Sequence, residues 1–204
     1  MTSILIANRG EIACRLVQAC HELGYKAVAV HTEVDRLARH VQLADRALAI
    51  ESYLSVAEVV RAAAAAGAQA IHPGYGFLSE NPALAEACQE AGIVFAGPPP
   101  EVIRLMGDKL AAKRLAAAAG LPLVPGSEGE DPAGIGFPLL IKAAGGGGGK
   151  GMRTVQDPAE FEQALAAAKR EAKAAFGDDR VFLERLIVHG RHIEVQLFGD
   201  AHGK

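Results

Sequence analysis

Lys142-Ala143-Ala144 leads into five consecutive glycines at 145–149, and Lys150-Gly151 closes the run. Glycine loses more conformational freedom on ordering than any other residue. Such a run fits a place where backbone N–H groups must close on an anion with no Cβ atom in the way. Successive amides in turn conformations form anion-binding hollows, and a lysine at the end of the preceding strand adds a point charge for a phosphate. A flexible hairpin turn is the competing explanation. The run is not a Walker A loop, because Gly151 stands where a Ser or Thr would hold magnesium. Met106-Gly107-Asp108-Lys109 offers a second phosphate lysine, against the plainer view that Asp108 caps a helix and Lys109 is a solvated first-turn residue.

Two further segments stand at strand ends. His72-Pro73-Gly74-Tyr75-Gly76-Phe77-Leu78-Ser79-Glu80-Asn81 follows a short apolar run, and loops at the carboxyl ends of parallel strands are where open α/β sheets bind ligands. A structural turn with Asn81 capping the next helix is the alternative. Ala7-Asn8-Arg9-Gly10-Glu11-Ile12 occupies the first strand-to-helix turn but lacks G-x-G-x-x-G, which argues against a phosphate site there. Near the end, Glu184-Arg185-Leu186-Ile187 forms a strand edge able to hydrogen-bond an adenine, with His192 close by in sequence; a solvated polar face is the plain alternative. The seven histidines show no H-E-x-x-H or comparable metal spacing.

Alternating strands and helices must position these groups. Ile4-Leu5-Ile6-Ala7 reads as a strand. Ile12, Leu16, Cys20 and Leu23 recur at helical spacing, and Gly24 ends that helix. The pattern then predicts a strand at 26–31, a short helix at 37–43, a strand at 47–50, a helix at 56–66 stopped by Gly67, a strand at 70–72, a helix at 82–91 and a strand at 93–96. Strands separated by helices imply a parallel sheet with crossovers, close to a Rossmann-like arrangement. Beyond Gly97-Pro98-Pro99-Pro100 come helices at 101–106 and 109–119, and a loop or linker at 125–136. A second unit then opens with strands at 139–141 and 152–155. Asp157-Pro158-Ala159-Glu160 starts a long helix, and strands follow at 181–183 and 193–198. In that last strand Ile193, Val195 and Leu197 alternate with His192, Glu194 and Gln196. Its partner strand is expected after the turn at 199–203, which leads us to expect a fragment or an abbreviated form of a longer protein. The unit boundary is expected near 100–120, giving domains 1–110 and 111–204.

Bulk properties narrow the class of partner. The 204 residues carry a net charge of −3 with acids and bases interspersed, which gives no basic surface for nucleic acid or an anionic membrane. Cys14, Cys20 and Cys88 include no C-x-x-C pair and are expected to be free thiols in a reducing compartment. No basic leader and no run of 18 apolar residues occurs, so a soluble cytoplasmic protein is expected.

In their order along the chain these motifs resemble the biotin carboxylase family of the ATP-grasp superfamily. The resemblance covers Ile6 to Ala13, the His72 to Asn81 loop, Arg104 to Lys109, Val124-Pro125-Gly126-Ser127, Ile141 to Met152, Glu171 to Phe176 and Arg191 to Gln196. It implies an α/β fold, with a Rossmann-like pre-ATP-grasp domain followed by the beginning of an ATP-grasp domain, truncated here. It further implies that Lys109 and Lys142 hold ATP phosphates, that Gly148 and Gly149 lie in the lid over them, that Glu184, Arg185, Leu186 and Ile187 lie beside adenine, that His192 contacts the nucleotide, and that Arg15 stands at a homodimer interface. The implied reaction phosphorylates bicarbonate with ATP and passes CO₂ from carboxyphosphate to carrier-bound biotin. Its implied partners are a biotin carboxyl carrier protein or domain and a carboxyltransferase. Acetyl-CoA carboxylase, propionyl-CoA carboxylase, pyruvate carboxylase and related enzymes share such a module. The family's magnesium-binding glutamates and its bicarbonate and biotin residues would all lie downstream of residue 204, so this chain by itself is expected to be inactive and to contain no catalytic or metal-binding residue. Two stretches are shorter than in relatives, at Ile50/Glu51 and between Asp131 and Gly136. Another ATP-grasp ligase resembling carbamoyl phosphate synthase, or a non-catalytic dimerisation or regulatory remnant, would share part of the pattern.

Overall fold

A run such as Ile4-Leu5-Ile6 has no polar face to offer water, so as a strand it must be covered on both sides. The computed structural model describes residues 2–145, 149–200 and 202–203, and the chain divides into two compact units, Met1–Ala112 and Lys113–Lys204. In the first unit β1 (Ser3–Ile6), β2 (Lys26–His31), β3 (Arg46–Ala49), β4 (Ala70–His72) and β5 (Val94–Phe95) form a sheet of order β3-β2-β1-β4-β5. Each pair is parallel, with Leu5 opposite both Val28 and Ile71. Successive side chains feed opposite faces. Leu5, Val28, Val30 and Ile71 join a cluster with Val59, Ala63, Leu84 and Cys88. Ile6 and Ala27 join the other, with Ala13, Val17 and Cys20.

The covering helices are α1 (Gly10–Glu22) and α2 (Arg39–Leu43) on one face, and α3 (Val56–Ala66) and α4 (Pro82–Glu90) on the other. Their ends follow from local chemistry. Ser55 Oγ accepts from the Glu58 N–H, Asn81 Oδ1 accepts from the Ala83 N–H, and Pro82 takes the first turn of α4. α5 (Pro100–Gly107) and α6 (Lys109–Ala118) follow. α2 covers residues 39–43 of the helix expected at 37–43, and a separate 3-10 turn lies before it at Glu33–Asp35.

The second unit is an antiparallel sheet of β6 (Gly126–Ser127), β7 (Leu139–Ala143), β8 (Arg153–Val155) and β9 (Val181–Arg185), in the order β6-β9-β7-β8. A 3-10 turn at Pro158–Glu160, capped by Asp157, opens onto α7 (Phe161–Phe176). Leu139, Ile141, Val155, Val181 and Leu183 pack with Phe161, Leu165 and Ala168 beneath that helix. Alternation sends Leu140, Lys142, Phe182 and Glu184 to the opposite face.

Two expectations are corrected. The 125–136 segment is not purely a loop, since Gly126–Ser127 pairs with β9. Residues 193–198 form no strand, and Ile193, Val195 and Leu197 are exposed. Alternation prepares a segment for a sheet, but a strand exists only by its ladder bonds, and no described segment pairs with this one.

Candidate functional site

β7 and β9 lie antiparallel with Lys142 opposite Phe182 and Leu140 opposite Glu184. Lys142 and Glu184 are therefore diagonal neighbours on one face, within reach of long side chains. Lys142 Nζ lies 2.5 Å from Glu184 Oε2. From α6, Lys113 Nζ reaches Glu184 Oε1 at 2.6 Å and stands 5.2 Å from the centroid of the Phe182 ring. Glu184 is 8% exposed. Burial alone would push its carboxyl up, but the bonds from Lys113 and Lys142 outweigh it and hold the group below its ordinary value. Two ammonium groups and one carboxylate leave a net positive charge on this face, suited to a phosphate.

β7 and β8, which flank the glycine run in sequence, pair antiparallel, and Lys142 stands in β7. Gly148 lies outside the described residues. Gly149 has φ +73° and accepts from the Met152 N–H. Gly151 has φ +69°, and a Cβ there would come 3.0 Å from Ala143 Cβ and 3.2 Å from Ala172 Cβ. Only glycine lets the returning chain pass this close to the core.

The other expected site residues are placed differently. Arg185 turns its guanidinium onto the Ile135 carbonyl, with Nε at 3.0 Å, and its N–H bonds the Pro125 carbonyl, so both groups brace the second unit. Leu186 lies just past β9 with its N–H on the Pro138 carbonyl, and Ile187 is exposed. His192 is exposed in the irregular end segment, with Nε2 3.3 Å from Glu194 Oε1. In the first unit Lys109 opens α6, and Asp108 Oδ1 caps that helix by accepting from the Leu110 and Ala111 N–H groups at 2.9 and 3.0 Å. Lys113 and Phe182 were not singled out by the sequence. Lys113 stands four residues after Lys109, one helical turn on, and that spacing was the available signal.

Within the first unit the two strand-end segments meet. Asn8 is fully buried, and its Nδ2 donates to the Pro73 carbonyl at 2.7 Å and to the Tyr75 carbonyl at 2.9 Å. The His72–Asn81 loop is thus tied to the first turn and leaves Tyr75 exposed. Beside it Arg9 Nε holds Asp35 at 2.7 Å, and Tyr53 Oη donates to the same carboxylate at 2.8 Å. Arg15 lines a groove of about 930 Å³ between α1 and α2, with Gln18, His21 and Arg39.

Among the described residues no group of three or more His, Cys, Asp or Glu could hold a metal ion. Glu184, the carboxylate nearest the lysines, is committed to two ammonium groups, so these residues do not fit magnesium. Among the described residues no helix is long and apolar enough to cross a membrane.

Residues 1–103 match the family described as biotin carboxylase, N-terminal domain, and residues 108–204 match carbamoyl-phosphate synthase L chain, ATP binding domain. The chain is 52% identical over 215 residues to the biotin carboxylase of Nostoc sp., an alignment covering 98% of this chain and 48% of that protein. It is 48% identical over 218 residues to the mitochondrial methylcrotonoyl-CoA carboxylase subunit alpha of Mus musculus, covering all of this chain and 30% of that protein. The chain therefore spans half or less of these relatives' length. The mouse alignment is longer than the 204-residue chain, so that relative carries residues this chain lacks. Among solved structures, the biotin carboxylase–β,γ-ATP complex from Campylobacter jejuni superposes with a TM-score of 0.96 at 44% identity, over 98% of this chain and 48% of that one.

Proposed function

We propose, from the premise that this chain belongs to the biotin carboxylase family, that it provides the nucleotide-holding N-terminal region of a biotin carboxylase. The observation that carries this reading is the cluster of Lys142, Glu184 and Lys113 on the face of the second sheet opposite α7, beside the strand end that enters the glycine run. In this reading Lys142 and Lys109 hold ATP phosphates, and Gly148 and Gly149 belong to the lid that closes over them. Glu184, Arg185, Leu186 and Ile187 border the adenine, and His192 meets the nucleotide. Such a site contributes positioning and charge stabilisation to phosphoryl transfer, and a closing lid keeps water from a labile intermediate.

The reaction served is phosphorylation of bicarbonate by ATP, followed by transfer of CO₂ from carboxyphosphate to the ureido nitrogen of carrier-bound biotin. Magnesium belongs to the proposal as the companion ion of the nucleotide phosphates, and the described residues are assigned no part in holding it. A carrier protein or domain, a carboxyltransferase, a homodimer contact through Arg15 and a cytoplasmic setting complete the proposal, with a division into domains 1–110 and 111–204. Acetyl-CoA and methylcrotonoyl-CoA carboxylases are both within its scope.

The test is calorimetric titration of this chain with ATP. Saturable binding that Lys142→Ala weakens at least tenfold, with unchanged circular dichroism, supports the reading. Absence of binding, with dimerisation intact, favours a non-catalytic remnant instead.

A further inference from the structure

The charge count around the buried Glu184 gives Lys113 a role. A phosphate arriving beside Lys142 meets a lysine already paired with a buried carboxylate. A lone Lys142–Glu184 pair is neutral overall and attracts an anion weakly. Worse, moving Lys142 onto the phosphate would leave Glu184 buried without a partner, which is strongly unfavourable. The structure removes this conflict by giving the two carboxylate oxygens separate cations: Lys113 on Oε1 and Lys142 on Oε2.

We propose that Lys113 is a positioning residue for the nucleotide: by holding Glu184 it keeps that carboxylate compensated and frees the charge of Lys142 for phosphate. This rests on the reading of the face as an ATP site and extends it to a residue that need not touch the ligand. The placement of Lys113 supports it. Its stem comes from α6 rather than from the sheet, so it approaches Glu184 from outside the β7–β9 ladder. Its ammonium also sits over Phe182, a second attraction of the cation–π kind, which holds it when Lys142 shifts. The lowered Glu184 pKa agrees with a carboxylate kept charged by two donors.

The test titrates the wild-type chain and its Lys113→Met, Lys113→Arg, Glu184→Gln and Glu184→Gln/Lys113→Met variants with ATP and with adenosine, after circular dichroism has established folding. Lys113→Gln substitutes for Lys113→Met if the latter does not fold. A role through Glu184 predicts that Lys113→Met weakens ATP binding about tenfold and leaves adenosine affinity within about twofold, since adenosine carries no phosphate. It also predicts that Lys113→Arg retains most of the ATP affinity. In the Glu184→Gln background the loss from Lys113→Met should shrink to about twofold, because no carboxylate charge remains to be held. The proposal is overturned if Lys113→Met binds ATP as the wild type does, if adenosine and ATP weaken alike, or if the full loss persists in the Glu184→Gln background. A wild-type chain that binds neither ligand overturns the reading of the site itself, and this inference with it.

Discussion

Asp35 shows how a single carboxylate can be held charged inside a protein. Burial pushes its pKa up, but bonds from Thr32, Tyr53 and Arg9 overcome this and bring it to about 2. A carboxyl whose folded pKa lies below its unfolded one stabilises the fold above the unfolded value and loses that stabilisation as pH falls through the folded value. Asp35 should therefore contribute about 2 kcal/mol near neutrality that disappears between about pH 4 and pH 2. Urea unfolding of wild type and Asp35→Asn across this range checks it: the gap between the two stabilities should narrow by about that amount, and a constant gap would refute the assignment. None of this was legible in the sequence, where Arg9, Asp35 and Tyr53 are far apart and each resembles an ordinary surface residue. Lys113 escaped notice for the same reason. A charge on a helix acquires meaning from what the fold sets against it.

At the scale of elements, the sequence was readable wherever local chemistry decides. Apolar runs marked the parallel strands, and Gly24, Gly67 and Asn81 marked helix ends. It failed where pairing decides. Gly126–Ser127 has no strand-like pattern and is a strand only because β9 lies beside it. Residues 193–198 have the pattern and no ladder. The His72–Asn81 loop lies between these cases, since its glycines announced a turn but not its tie to Asn8. That tie makes Gly74 critical. It has φ +65°, and a Cβ there would sit 2.7 Å from both Asn8 Nδ2 and Ile12 Cγ2. Gly74→Ala should cost about 2 kcal/mol or more from backbone strain and crowding, read as a lower urea midpoint at unchanged slope. A midpoint equal to wild type would show that the first turn can yield.

For the whole molecule, the division into a parallel and an antiparallel unit agrees with the two family matches, which meet between residues 103 and 108. A consequence for behaviour in solution comes from the exposed apolar side chains of Ile193, Val195, Leu197 and Phe198, the last 98% exposed. Such a stretch invites association. Sedimentation velocity should show concentration-dependent self-association of this chain. Replacing Leu197 and Phe198 by Lys should reduce it, whereas Arg15→Glu should act only on a dimer formed through α1. If the double Lys variant associates as strongly as wild type, the exposed stretch is not the cause.

The pairing of β7 with β9 constrains how this protein can change over generations. One alternation buries Leu139, Ile141 and Ala143 and sends Lys142 to the other face, so hydrophobic core and charged cluster are encoded by the same two-residue rhythm. A one-residue insertion within Leu139–Ala143 would exchange them, pointing the lysine into the core and the apolar side chains at Glu184. Length can vary instead at Ile50/Glu51 and at 131–136, where the chain is irregular. Lineages are free to lengthen or trim those connections, while the spacing inside the strand is inherited intact or lost together with the fold.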